Sequence, residues 1–426
     1  MRCLLIESLQ KRFAFLQNAI TQALMLISGL LVNLFIPLVY GLTAYGEFLK
    51  TNLLVFIFHK FTDVLGEPLI SQVERPLLFS VSFALGLLIL SAFALLHLVY
   101  PVGSVALLAA MLFSNCVLLV LYANLMRTAV SLYLLMFTTL FFVLPPLFKP
   151  FADDIVNLLI AINLIPASLF ALTLLFSGKI HPQTPNIAPE VVKVLRTLPG
   201  LFALTLVNNL FTNILPWYLS FFLPAAELGL FRVQVSVVQA AGFLFPVHTR
   251  VIAEMLVKAR DTHADASGLL SLSLHYFFLA AFGACIAACW LPFIKPFTPV
   301  LVILPLYHAC LIYERFLLAK QETRALRRIN LAIALFSMLV ITRVHSLSGM
   351  MLLYATGLAL YLLMLHHAQP AMPANRLVRT VALGTPLMLL LAYFSWPLEL
   401  LTLATALVFL WVCMPVSRQT LSLLGR

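Results

Sequence analysis

The stretch from Tyr45 to Gln72, YGEFLKTNLLVFIFHKFTDVLGEPLISQ, is apolar enough to enter a lipid bilayer, yet it carries Lys60, Asp63 and Glu67 along its length. At about 100° per residue, the spacing i, i+3, i+7 gathers these three in a narrow sector of one helical face. A lysine near the middle of such a span sits too deep for its stem to reach the headgroups, so its ammonium needs a partner or water. The stretch therefore reads as one helix of a bundle, with a charged stripe that lipid cannot solvate.

The remainder of the chain repeats the apolar pattern. Its 426 residues are 63% hydrophobic and 10% charged, with a mean hydropathy of +1.06, and a soluble globule would lack the polar surface to cover that interior. Runs of roughly 18–25 apolar residues, each long enough for a hydrocarbon core of about 30 Å, follow one another with brief polar breaks. They predict fourteen spans, centred on 14–40, 48–71, 77–100, 103–126, 128–148, 154–176, 198–223, 227–249, 268–293, 297–319, 327–344, 347–367, 377–395 and 398–416. The 327–367 pair and the last two runs lie near Pro and Arg, where a re-entrant segment is the alternative, and twelve spans is the fallback count.

Charge sets the orientation. With the N-terminus inside, four of the 26 Lys and Arg residues fall outside (Lys50, Lys149, Lys295, Arg343), three fall within spans (Lys60, Arg232, Arg315) and the rest are cytoplasmic. The net charge of +11 is then mostly topology and attraction to anionic inner-leaflet lipid, with no implication of nucleic acid. The densest basic cluster, KQETRALRRIN at 320–330, reads as such an inside anchor. The N-terminal MRCLLIESLQKRFAFLQ reads as an uncleaved, partly amphipathic lead-in. Both termini are expected in the cytoplasm of a bacterial inner membrane protein.

Six cysteines (Cys3, Cys116, Cys285, Cys289, Cys310, Cys413) lie in the N-terminus or in spans, and imply neither a disulfide framework nor a metal site. No GxxxxGK[ST], HExxH or GxSxG pattern occurs, and the exterior loops are too short to carry an enzyme's site. No cofactor is expected, and no enzyme activity.

A polar break at 177–200, SGKIHPQTPNIAPEVVKVLRTLPG, follows six spans. It divides the chain into a six-helix lobe at 1–176, a cytoplasmic linker at 177–197, a second six-helix lobe at 198–368 and two additional helices at 369–426. Sliding the chain on itself by 183 residues lays AYGEFLKTNLLVF over ELGLFRVQVSVVQ, pairing Gly46 with Gly229 and Phe48 with Phe231. Two halves inserted the same way round are a parallel-repeat transporter design, whose substrate site lies between the halves. Each half also opens on a polar stripe: Asn18, Gln22, Gly29 and Asn33 before Pro37, and Asn209, Thr212 and Asn213 before Pro216. Such amides either glue helices together or line a cavity.

These two hairpins resemble the multidrug/oligosaccharidyl-lipid/polysaccharide exporter superfamily, and within it the Wzx-type polysaccharide flippases. LVNLFIPLVYGLTAYGEFLKTNLLVFIFHKFTDVLGEPLI is similar to the family's opening, a first helix, an exterior turn with YG and a second helix running down to a motif around D-x-G; ELGLFRVQVSVVQAAGFLFPVHTRVI resembles the run that opens its second half. VLGEP and the Phe231 of ELGLF depart from the usual pattern. The resemblance implies a two-lobed transporter that moves an undecaprenyl-pyrophosphate-linked oligosaccharide outward by alternating access. The expected partners are that glycolipid, membrane lipids and a polysaccharide polymerase or chain-length complex.

The candidate cavity residues are Lys60, Asp63, Glu67, Arg232, Asn33, Asn209 and Asn213. Lys60 either closes a salt bridge on its own helix or binds a pyrophosphate or acidic sugar. Asp63, Glu67 and Glu314 are the candidates for proton or Na⁺ coupling, because a buried carboxyl beside a cation has a tunable affinity for either ion. Arg232 and Arg315 lie near span ends, where snorkelling to the headgroups is the alternative to a site. Tyr307 and His308 read as packed core. The rival functions are export of small organic cations, with the carboxylates as binding groups, and a membrane polymerase or glycosyltransferase.

Overall fold

Proline and glycine punctuate the apolar runs, and helices fill the space between them. The computed structural model describes residues 31–100, 103–124, 126–149, 151–178, 187–241, 297–319 and 322–368, together with Leu24 and Ile27. Every regular element among them is helical. A π-helical turn at Leu31–Phe35 leads into α1 (Ile36–Tyr40) and, past Gly41, α2 (Leu42–Gln72). There follow α3 (Leu78–Val99), α4 (Val105–Ala123), α5 (Arg127–Val143) and α6 (Ala152–Phe176). After a polar break come α7 (Ala188–Asn209), a second π-helical turn at Leu210–Ile214, α8 (Leu215–Leu219) and α9 (Ala225–Ala241). The last described elements are α10 (Thr298–Ala319), α11 (Thr323–Ile341) and α12 (Leu347–Ala368).

Among the described residues, four helices are long and apolar enough to cross a bilayer: Arg75–Val99, Val105–Ala123, Asp153–Phe176 and Leu347–Ala368. The chain is an all-α membrane protein with several apolar spans. The runs at 268–293, 377–395 and 398–416 lie outside the described residues, as do Asn18, Gln22 and Gly29 of the first polar stripe.

Two boundaries differ from the hydropathy reading. Helix α2 begins at Leu42, six residues before the expected start, because the chain turns at Gly41, whose φ of +88° suits a residue without a Cβ. Helix α7 begins at Ala188, inside the expected linker; Pro189 and Glu190 in its first turn suit a helix start, since the first N–H groups have no helical acceptor and the N-terminal dipole favours an acid.

The chain divides into two compact units, 1–205 with 212–233, and 206–211 with 234–426. In the first, α4 packs against α2, α3, α5 and α6 around Leu65, Val81, Leu85, Val117, Leu121 and Tyr133. The buried Tyr133 hydroxyl lies 2.6 Å from Ser114 Oγ, which spares both groups an unpaired burial. Leu95 and Leu98 on α3, Phe142 on α5 and Phe176 on α6 stay exposed, as lipid-facing positions of spans should.

In the second unit, α10, α11 and α12 pack together. Small and polar residues seat them closely, the pattern expected where helices associate without a hydrophobic drive. A Cβ at Gly357 would come within 2.5 Å of the Phe211 ring, Asn330 and Ser337 are fully buried on one face of α11, and the Tyr313 hydroxyl lies 2.8 Å from His366 Nδ1. His308 is 3% exposed and meets the Tyr307 ring edge-on.

The α3–α4 turn is tied to α2 from the side. Asn52 Oδ1 accepts from the Ser104 N–H at 3.0 Å, and Ser104 Oγ in turn accepts from the Leu107 N–H, capping α4. Gly103 precedes the cap at φ +89°, where a Cβ would lie 2.9 Å from Val55 Cγ2 and 3.0 Å from Phe93 Cζ. Gly103→Ala is expected to cost about 2–3 kcal/mol, from a strained φ plus an overlap. Gly178→Ala has a positive φ but open space around it, and should cost about 1 kcal/mol. Thermal unfolding in detergent measures the difference between the two.

Candidate functional site

Helix geometry explains why a polar site forms where it does. In an α-helix each N–H bonds to the carbonyl four residues back, and proline has no N–H to give. Pro216 therefore leaves the Thr212 carbonyl without its α-helical donor, and Pro37 does the same for Asn33. Both prolines follow π-helical turns, Leu31–Phe35 and Leu210–Ile214, in which the backbone ladder is already shifted. The two turns sit at matching places, since an offset of 179 residues carries Leu31 to Leu210, Asn33 to Thr212 and Pro37 to Pro216.

Arg232 uses this opening. Its Nη1 donates to the Thr212 carbonyl and its Nε donates to Asn33 Oδ1 at 3.3 Å. Asn33 Oδ1 also accepts from the hydroxyl of Tyr45, which is fully buried, at 2.9 Å. These two acceptors are neutral. Asn213 is 1% exposed and donates through Nδ2 to Thr212 Oγ1 at 3.0 Å. Its Oδ1 accepts no hydrogen bond among the described residues.

A crossing of α2 and α9 holds this cluster in register. Gly46 lies against Ala225 so closely that a Cβ there would overlap the Ala225 carbonyl oxygen, and a Cβ at Gly229 would lie 2.6 Å from the Leu42 carbonyl oxygen. The offset of 183 residues exchanges Gly46 with Gly229 and Leu42 with Ala225. The two contacts are thus one contact seen from either side, as at a local two-fold axis. The tyrosine and glycine expected in a turn lie instead inside the first helical turns of α2; Gly46 is there for close approach, and Gly41 makes the turn.

The structure brings Asn33, Arg232, Asn213 and Thr212 into one cluster within the first unit. Arg232 does not snorkel; it lies about 10 Å along α9 from Ala225 and its guanidinium is bonded inward. Lys60 stands apart from the cluster in sequence, half-buried on α2, roughly 27 Å of helix rise from its start and roughly 18 Å from its end. Asn209 is buried in the second unit, and Glu314 is half-buried on α10. Asp63 and Glu67 belong to α2, but their side chains, like that of Arg315, lie outside the described residues. Tyr45 and the Thr212 carbonyl are members that sequence reading missed. The signal was the proline four residues beyond Thr212.

The described residues contain no group of three or more His, Cys, Asp or Glu able to hold a metal ion. What the site offers is hydrogen-bond donors, amides and fixed positive charge inside a helical membrane bundle.

Fold and site together define a multi-pass helical membrane protein with a cationic polar cluster among its spans. No family model matches the chain, and no curated protein matches it. It is similar to the solved structure of the lipid II flippase MurJ in an inward closed conformation, with a TM-score of 0.61 and 15% identity over 96% of this chain and 99% of that one. At that identity the likeness shows a shared fold.

Proposed function

We propose that this protein is a flippase that carries a polyprenyl-pyrophosphate-linked oligosaccharide from the cytoplasmic to the outer leaflet of a bacterial inner membrane. The two expected lobes, 1–176 and 198–368, work in an alternating-access cycle. The supporting observation is Arg232, a cation oriented within the spans by Asn33 and the Thr212 carbonyl. A pyrophosphate is a polyanion too costly to move through hydrocarbon unaided, and a planar guanidinium recognises phosphate oxygens in pairs. Lys60 supplies a second cation deeper along α2, and Asn33, Asn209 and Asn213 supply sugar-compatible amides. Asp63, Glu67 and Glu314 couple the cycle to proton or Na⁺ movement. Repeat-unit oligosaccharides of a surface polysaccharide are the substrate class, and a polymerase or chain-length complex receives the product.

Vesicle transport of a polyprenyl-pyrophosphate oligosaccharide tests this reading. Lys60→Ala is expected to slow flipping at least tenfold and Lys60→Arg to retain a substantial part. A small-cation exporter would respond in the opposite way, tolerating Lys60→Ala and failing with Asp63→Asn. Collapsing the proton and sodium gradients separately identifies the coupling ion, and indifference to both removes ion coupling from the account.

A further inference from the structure

The first unit contains a cavity of about 290 Å³ between α2, α3 and α4 that the Arg232 cluster does not use. Its walls are Gly66, Gly86, Leu65, Leu85, Leu112 and Leu119. The two glycines differ in kind from Gly46, Gly229 and Gly357, where a Cβ would strike a neighbour. A Cβ at Gly66 would meet only Leu119 Cδ1 at 3.8 Å, and one at Gly86 only Leu112 Cβ at 3.9 Å. These glycines serve no close helix approach. Two side chains are missing from facing helices, and the space they leave is the cavity.

The polar groups at this cavity are engaged with one another. Thr62 Oγ1 donates to the His59 carbonyl at 2.6 Å and accepts from Asn115 Nδ2 at 2.9 Å, and that nitrogen also lies 2.9 Å from His59 Nε2. Cys116 Sγ lies 3.6 Å from the Phe79 carbonyl. Ser82 and Tyr122 add two hydroxyls to the lining; the rest of the wall is leucine and bare glycine backbone inside a helix, which offers water little to bond. An apolar cavity about half this size takes up a benzene molecule, so this one has room for roughly a dozen carbon atoms. A void left empty forfeits the contacts of every atom around it.

What surrounds the site decides what fills it. Helices α3 and α4 are both long and apolar enough to cross the bilayer, and on α3 the side chains beside Gly86, Leu87 and Leu88, are exposed. The medium at this depth is hydrocarbon chains. Lys60 points elsewhere: Thr62, Leu65, Gly66 and Leu69 lie about 140–240° around α2 from it, so the cavity is on the opposite face from the charged stripe.

We infer that this cavity is a binding site for a single hydrocarbon chain, the acyl chain of a bilayer phospholipid or the prenyl tail of a lipid-linked substrate, seated in the space left by Gly66 and Gly86. The inference stands independently of Arg232 and Lys60.

Photo-crosslinking of the purified full chain tests it, with two probes used separately: a phosphatidylglycerol carrying a mid-chain diazirine and a polyprenyl phosphate carrying a diazirine in its tail. The expected result is an adduct on the α4 segment from Leu112 to Tyr122, and the probe that labels it more strongly identifies the source of the chain. Gly66→Leu and Gly86→Leu fill the space and should lower that adduct at least fivefold, with adducts at the exposed Leu95 and Leu98 unchanged and the unfolding temperature equal to or above that of the parent. If the leucine variants fail to fold, the double variant Gly66→Ala with Gly86→Ala, whose two methyl groups have room, should lower the adduct at least twofold. Adducts confined to the exposed surface, or an α4 adduct that persists unchanged in a folded filled variant, would overturn the inference.

Discussion

Gly46→Leu is expected to leave no folded, transport-competent protein. The Cβ alone overlaps the Ala225 carbonyl oxygen, and the obstacle is backbone on both sides, so no rotamer change relieves it. Overpacking against side chains costs about 1–3 kcal/mol; here α2 and α9 must move apart, and most of the 5–15 kcal/mol that holds a typical domain is at stake. Separating these helices also pulls Tyr45 and Arg232 away from Asn33, one residue before Gly46 and three after Gly229 respectively. Gly229→Ala meets the Leu42 carbonyl at 2.6 Å and should be milder, lowering the unfolding temperature while leaving a foldable chain. Size-exclusion profiles and thermal unfolding in detergent rank the two. A Gly46→Leu protein that folds and transports normally would mean that the crossing is not built as described.

The second large effect is expected at Arg232. Arg232→Ala removes a donor from the Thr212 carbonyl, which Pro216 cannot replace, and a donor from Asn33 Oδ1, leaving Tyr45 as its other partner among these bonds. Two weakened acceptors in a span cost about 1–3 kcal/mol each. Flipping is expected to fall at least a hundredfold, more than this destabilisation explains, because the charge that meets the pyrophosphate is gone. Arg232→Lys separates the two roles. An ammonium is a point charge without the planar fork, so it cannot reproduce both bonds at their observed places. The account expects Arg232→Lys to lose stability nearly as Ala does, yet to flip at least fivefold faster than Ala. Equal flipping by the two variants would reduce Arg232 to a helix tie.

Much of this molecule was readable from residue patterns, for reasons that differ between elements. Hydropathy located α3, α4, α6 and α12 because a bilayer imposes both length and composition on a span. The glycine echo at positions 46 and 229 was visible as an alignment, but not its cause. A glycine that makes a turn and a glycine that admits a carbonyl look alike in sequence, and only the φ of +88° at Gly41 and the Ala225 contact of Gly46 tell them apart. The start of α7 was hidden because four prolines between 177 and 200 suggested a linker, although a proline in a first turn begins a helix as readily as it ends one. Arg232 was visible as a charge within a span. Its bonds were not, because a main-chain carbonyl freed by Pro216 leaves no mark beyond the spacing of four residues. The stripe of Lys60, Asp63 and Glu67 was the most conspicuous feature of the sequence, and its helix is continuous from Leu42 to Gln72 as a stripe requires.

The most direct test of the account is equilibrium binding of a polyprenyl-pyrophosphate oligosaccharide to the purified chain, compared with the same glycolipid bearing a neutral linkage, at low and high salt. The account predicts that the pyrophosphate form binds at least tenfold more tightly, that Arg232→Gln and Lys60→Gln each reduce this preference, and that salt weakens what remains. Equal binding of the charged and neutral glycolipids, unchanged in both variants, would contradict it.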